Sequence, residues 1–203
     1  MSEEKFVIES LDENEQKPSV NSFLWELVRV ILVAIVLMFA VRIFVAEPFV
    51  VSGSSMVPNF HNREYLVVDK ISYRFHEPSR GDVIVFRYPK DTTQYFIKRI
   101  VGLPGEKVKI DNGRVKIFNN QNPDGAYIDE PYLTSNDITF GKEDIVTLGS
   151  DEYYAMGDNR LGSSDSRVWG ILPKHDIIGH AWFRAFPISA FGFPTFPDLK
   201  FVK

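Results

Sequence analysis

The chain has 203 residues, 44% of them hydrophobic, with no cysteine and a formal net charge of −4. That length allows one domain with a real core plus an appendage. The absence of thiols excludes disulfides, cysteine nucleophiles and Cys-ligated metal centres, and the mildly acidic balance gives no overall electrostatic footprint for nucleic acid.

In chain order, residues 1–21 are polar and mostly acidic, without sustained periodicity, and read as a disordered tail. Residues 22–45 are different. From Val30 to Val41 twelve apolar residues run without interruption between Arg29 and Arg42. Twelve fall short of the roughly 20 that a bilayer span takes. Both arginines can snorkel, however, and Phe23, Trp25 and Phe44 suit the interfaces, so 22–45 reads as a transmembrane anchor. A buried or interfacial helix and a processed leader are the competing readings. Against a leader stand the long acidic stretch before the apolar run and the lack of a clean small-x-small site after it. Lys17 and Arg29 on one side against Arg42 on the other leave the orientation undetermined.

From residue 46 onward the pattern changes to short β-branched and aromatic runs bounded by Gly, Pro, Asn or Asp: "PFVVSG", "EYLVVDK", "GDVIVFRY", "TQYFIKRIVG", "EKVKI", "RVKIF" and "DEYYAMGD". "DNG" at 111–113 marks a hairpin. The expected architecture is mainly β, a barrel-like or folded antiparallel sheet over 46–203, with a turn-rich excursion at 119–150 in which "NNQNPDG" reads as a loop or a small excursion from the main sheet. Of the 17 phenylalanines, several gather in the proline-spaced C-terminal run "GHAWFRAFPISAFGFPTFPDLKFVK", which suits either core packing or an apolar rim facing lipid.

Within "VVSGSSMVPNF" (50–60), serines flank a glycine directly after a strand-like run. A serine hydroxyl is a weak nucleophile until a base takes its proton. His61, His76, His175 and His180 are scattered and fall in no metal-ligand spacing; a Ser-His-Asp arrangement stays open, since triad members need not be close in sequence. Lysine has a local argument. The period of two in "YFIKRIVG" sets Phe96, Lys98 and Ile100 on one face and Tyr95, Ile97, Arg99 and Val101 on the other. Both faces are largely apolar, so one of two adjacent cations is poorly solvated. A desolvated lysine loses its proton more readily and can act as a base, whereas arginine keeps its charge. The alternative is an edge lysine that reaches water along its own stem. A third region, "MGDNRLGSSDSR" (156–167), sets Asp158, Arg160, Asp165 and Arg167 at spacings that allow paired contacts around a site.

Taken together, "SGSSMVP" (52–58), "RGDVIVF" (80–86), "YFIKRIVGLPGE" (95–106) and "GDNRLGSSDSR" (157–167), following an apolar segment, resemble the boxes of bacterial type I signal peptidases. The resemblance runs from about residue 25 to the end. It implies a Ser-Lys serine endopeptidase in which Ser55 is the nucleophile and Lys98 the general base. Ser163 then helps orient the lysine, and Gly157 stands where a side chain would crowd it. Asp158, Arg99, Asp165 and Arg167 shape the surrounding loop, while Gly53, Met56 and Pro58 frame the nucleophile turn. No metal or cofactor is implied. The implied partners are secretory preproteins, cut after small residues at the first and third positions before the bond, and membrane lipid, with no nucleic acid. The implied location is the cell membrane, single-pass, with the catalytic domain on the extracytoplasmic side.

Three departures stand out. Some members carry a serine two positions before the nucleophile to help bind the oxyanion; here it is Gly53, which shifts that task to backbone N–H groups, including that of Ser55. Asn59 stands for a frequent threonine and Glu106 for a frequent aspartate, both read as turn substitutions. A self-cleaving regulator of related fold and a non-catalytic, membrane-anchored β-domain are the alternative readings.

Overall fold

The computed structural model describes residues 20–134 and 138–202, so residues 1–19 of the expected tail lie outside the described residues. Contacts divide the chain into two compact units, Met1–Ala40 and Val41–Lys203. Helix α1 (Val20–Phe44) begins two residues inside the expected tail. Its stretch Val20–Arg42, with a mean hydropathy of 2.5, is long and apolar enough to cross a membrane. Its large apolar side chains, among them Phe23, Leu27, Leu37 and Phe39, are exposed all around the helix. A helix that packs on a core through one face has a single apolar stripe, whereas one that is apolar all round belongs in a core or in lipid.

The second unit is built of antiparallel strands. The first sheet contains β1 (Ala46–Val50), β2 (Tyr65–Asp69), β3 (Val83–Tyr88) and β4 (Asp91–Gly102). The second contains β5 (Lys107–Asp111), β6 (Arg114–Asn119), β7 (Asn122–Ile128) and β8 (Val146–Thr147). The chain then returns to the first sheet with β9 (Glu152–Met156), the four-residue helix α2 (Ser166–Trp169), β10 (Leu172–Pro173) and β11 (Ile177–Phe186), and ends in the second with β12 (Phe201–Val202). Strand order is β1-β2-β11-β3-β4-β9-β10 in one sheet and β12-β7-β6-β5-β8 in the other.

The hairpin expected at "DNG" joins β5 to β6, with Asn112 (φ 49°) and Gly113 (φ 75°) both left-handed. That conformation matches the twist of the flanking strands. The first sheet folds back on itself. Three strands separate β1 from β4, yet Phe49 and Tyr95 meet edge to face with ring centroids 5.4 Å apart.

"NNQNPDG", read as a loop or a small excursion from the main sheet, contributes to β7 (Asn122–Ile128) of the second sheet, paired with β6 and β12. The C-terminal aromatic run begins with a central strand, β11, held between β2 and β3. Its register shifts against both neighbours, which breaks the alternation by which a strand is recognised in sequence. The aromatics of the run divide between core and surface. Phe196 and Phe201 pack against core clusters, while Trp182, Phe186, Phe191 and Phe193 stay exposed.

Three apolar clusters hold the unit together. One joins the end of β4 and β9 to the second sheet through Val101, Met156, Val108 and Ile117. Another packs Ile84, Phe86 and Ile100 against Tyr153 and Trp169. The third gathers Val51, Met56, Phe60, Leu66, Val83 and Ala181, and it fixes the turn that carries Ser55.

Candidate active site

After β1 the chain leaves the sheet edge in a closed turn. Val51 donates to Glu64 O (2.9 Å), and Arg63 donates back to Val51 O (2.8 Å). Gly53, at φ +93°, takes a conformation L side chains rarely adopt, and its N–H donates to Asn62 Oδ1 at 3.0 Å. Met56 and Phe60, 1% and 2% exposed, anchor the turn from below. Pro58 follows a cis peptide bond. With these anchors Ser55 is held toward β4, where Lys98 Nζ donates to its Oγ at 2.7 Å.

Lys98 is 4% exposed and does not reach water along its stem. Its Nζ also donates to Ile97 O at 2.8 Å and lies 5.4 Å from the Phe96 ring centroid. Burial strips water from the ammonium and pulls its pKa down to about 8, against the opposing charges of Asp165 and Asp158. The two adjacent cations of "IKRI" are both buried, but only Lys98 can release its proton.

Arg99 is held as a permanent cation by a two-pronged pair with Asp158, Nε to Oδ1 at 2.8 Å and Nη2 to Oδ2 at 2.7 Å, and by Gly81 O at 2.8 Å. Its guanidinium lies 4.0 Å from the Tyr132 ring centroid. Asp158 opens the loop after β9, beside Gly157. A Cβ on Gly157 would fall 2.2 Å from Ser163 Oγ and 2.5 Å from Ser55 O, so a side chain there would push the Ser55 turn away. Asn159 ties that turn to the loop through N–H to Ser55 O (3.0 Å) and Nδ2 to Ser54 O (3.2 Å).

At the other end of the loop Asp165 caps α2 through Arg167 N and takes Gly157 N–H at 3.0 Å. Arg167 grips it with Nε at 2.8 Å and Nη2 at 2.7 Å. Burial alone would raise the Asp165 carboxyl, but these donors hold it below the usual carboxylate range. Ser163 Oγ is buried, and among the described residues it makes no hydrogen bond, to Lys98 or to any other group. Besides Ser55 Oγ, the acceptor on Lys98 Nζ is Ile97 O.

Several supporting contacts carried no signal in the sequence, although Arg160 itself is among the charged residues read as able to pair around a site. Arg160, fully buried, pairs with Glu130 and donates to Tyr132 OH at 2.8 Å. Glu130 and Tyr132 belong to the stretch read as an excursion, where a lone acid and an aromatic among turn formers look like surface. Asn59, read as a turn substitution, donates from Nδ2 to Asp158 Oδ2 and Tyr132 O, both at 2.9 Å. Glu106 is also more than a turn residue, since Arg80 Nη2 holds both its oxygens at 2.6 and 2.7 Å.

Ser55 and Lys98 open into a cleft of about 500 Å³ between β1 and β4, lined by Val51, Leu66, Val85 and Ile97, with Ser52 and Ser164 among its few polar side chains. Next to Lys98 one edge of β4 is unpaired, because β9 joins β4 only from Arg99 onward.

Residues 24–186 match the family described as signal peptidase, peptidase S26. "Probable signal peptidase I-1" of Synechocystis sp. (strain ATCC 27184 / PCC 6803 / Kazusa) is 40% identical over 187 residues, covering 89% of this chain and 91% of that protein. "Signal peptidase I" of Leptolyngbya laminosa is 38% identical, covering 87% of this chain and 86% of its own length. "Signal peptidase I" of Bacillus amyloliquefaciens is 35% identical, with coverages of 86% and 91%.

Proposed function

This chain belongs to the bacterial type I signal peptidase family of serine endopeptidases, and on that premise we propose that it removes signal peptides from secretory preproteins through Ser55 and Lys98. The observation that carries the assignment is the 2.7 Å contact between Ser55 Oγ and a buried lysine amine whose pKa lies near 8. Neutral Lys98 accepts the Ser55 proton as Oγ attacks the scissile carbonyl. The oxyanion is met by the Ser55 N–H, which has no partner among the described residues and needs no side chain at Gly53. The Lys98 ammonium then protonates the departing amine, leaving an acyl-enzyme. A water takes the place of the product; Lys98 removes its proton, the hydroxyl attacks the ester, and Ser55 leaves with the proton from Lys98. Asp158, Arg99, Asp165 and Arg167 hold the loop, and Gly157 lets it close on the turn.

An extended peptide fits the gap between the edge strand β1 and the unpaired stretch of β4, where backbone pairing holds it and alternate side chains point into the cleft. The aliphatic floor of Val51, Leu66, Val85 and Ile97 leaves room for small side chains next to the cut. Residues 22–45 anchor the chain in the membrane, 46–203 form the catalytic domain on the extracytoplasmic side, and the exposed aromatics from Trp182 to Phe193 meet lipid. The test is cleavage of a model preprotein with a small-x-small site in detergent micelles, with termini read by mass spectrometry. Wild type is expected to cut after the small residue, while Ser55→Ala and Lys98→Ala leave the substrate intact. Undiminished cutting by either variant would overturn the assignment.

A further inference from the structure

The nucleophile turn and strand β4 are joined twice. The first joint is the contact between Ser55 and Lys98. The second runs parallel to it, four residues further along the turn and one further along the strand: Asn59 Nδ2 donates to Asp158 Oδ2 at 2.9 Å, and Asp158 is gripped by Arg99 at 2.8 and 2.7 Å. Asn59 is itself braced. Its N–H donates to Met56 O (3.0 Å), its carbonyl accepts from Arg184 Nη2 (2.7 Å), and its amide also reaches Tyr132 O (2.9 Å). Tyr132 in turn lies against Arg99 and bonds Arg160.

The two joints differ in one chemical respect. In the resting chain Lys98 Nζ donates to Ser55 Oγ; in the acyl-enzyme Oγ is an ester oxygen, a poor acceptor with no proton to give, and Lys98 must turn to water, so the first joint weakens during the cycle. The second involves no reacting atom. We propose that Asn59 is a positioning residue that holds the acylated Ser55 turn in register with Lys98, acting through Asp158 and Arg99, so that deacylation depends on it more than acylation does.

The proposal rests on the Ser55–Lys98 assignment, and the experiment separates the two. Wild type, Asn59→Leu, Asn59→Thr and Ser55→Ala are followed by rapid-quench kinetics on a model preprotein in micelles, with acyl-enzyme trapped by acid and counted by mass spectrometry. Asn59→Leu keeps the branched four-atom skeleton but removes both donors; Asn59→Thr restores one donor toward Asp158. For Asn59→Leu the expected result is a kcat lowered by about tenfold or more at little-changed KM, with a first-turnover burst near one per folded enzyme and acyl-enzyme accumulating. Asn59→Thr is expected to recover much of the lost kcat. A purely structural role would lower burst and steady state together, in proportion to the folded fraction. That result, an unchanged kcat, or a loss confined to KM would overturn the proposal. Should Asn59→Leu fail to fold, Asn59→Thr and Asn59→Ala are compared by the same ratio of burst to steady-state rate. Cleavage by Ser55→Ala would instead bring down the assignment beneath it, whatever the Asn59 variants do.

Discussion

At the scale of the residue, the proposed chemistry turns on what burial does to one amine. Lys98 is charged at neutral pH in the unfolded chain, and in the fold its pKa falls to about 8. If the neutral amine is the base, log kcat/KM rises with a slope of one up to about pH 8 and then levels, measured on a peptide substrate between about pH 6 and pH 10. A plateau extending unbroken to pH 6 would remove Lys98 from that role. The same burial has a cost to stability. Below about pH 8 the lysine is charged in both states, and hiding it costs roughly 3 kcal/mol, the equivalent of the drop from 10.5 to about 8. Between those values the folded chain releases its proton before the unfolded one does, so the penalty fades as pH rises and is gone above 10.5. Lys98→Met is therefore expected to be inactive yet more stable by up to roughly 3 kcal/mol near pH 7, with the gain vanishing at high pH, as read by denaturant unfolding in micelles. Gly157 is the opposite case, a residue whose worth lies in having no side chain. Since Ser55 O would sit 2.5 Å from a new Cβ, Gly157→Ala must displace backbone, and the expected outcome is a loss of about 1–3 kcal/mol in stability with activity down by at least tenfold.

At the scale of the element, the buried pair of Arg99 with Asp158 fastens β4 to the 157–167 loop, and a second buried pair, Arg167 with Asp165, braces the loop within itself. A buried pair adds little over a well-packed apolar substitute, but removing one partner strands the other charge in the core. Arg99→Met and Asp158→Leu are each expected to lose about 3–5 kcal/mol, and the double variant less than the sum, as a double-mutant cycle by chemical unfolding would read. Additive losses would mean that the pair is not coupled. Most of these strands were legible as β-branched and aromatic runs bounded by turn residues: "EYLVVDK" became β2, "GDVIVFRY" β3 and "YFIKRIVG" the Lys98 end of β4. The two faces of β4 separated as the period of two demands, with Phe96 and Ile100 in one cluster and Ile97 in another. β11 was not legible, since bulges interrupt its period and its aromatics suit a surface as well as a core. Nor was the buried side of the excursion. Tyr132 and Arg160 meet across 28 positions of sequence, and local pattern carries no information about a partner that distant.

At the scale of the whole molecule, the question is which side of a membrane each unit occupies. Helix α1 is long enough to span, at about 1.5 Å per residue over 25 residues against a hydrocarbon core of about 30 Å. Length sets no direction, however, and Lys17 with Arg29 barely outweigh Arg42. A secretory substrate requires the catalytic unit to lie outside the cytoplasm. Because the chain has no cysteine, single thiols report on this without background. Val20 is exposed at the start of α1, and Lys90 is exposed in the turn between β3 and β4, away from the cleft. In intact cells treated with a membrane-impermeant maleimide, Lys90→Cys is expected to label at once and Val20→Cys only after permeabilisation. The reverse pattern would put Ser55 and Lys98 in the cytoplasm, out of reach of exported preproteins. Prompt labelling of Lys90→Cys on a chain shortened past residue 45, with no Val20→Cys signal under either condition, would show a processed leader in place of an anchor.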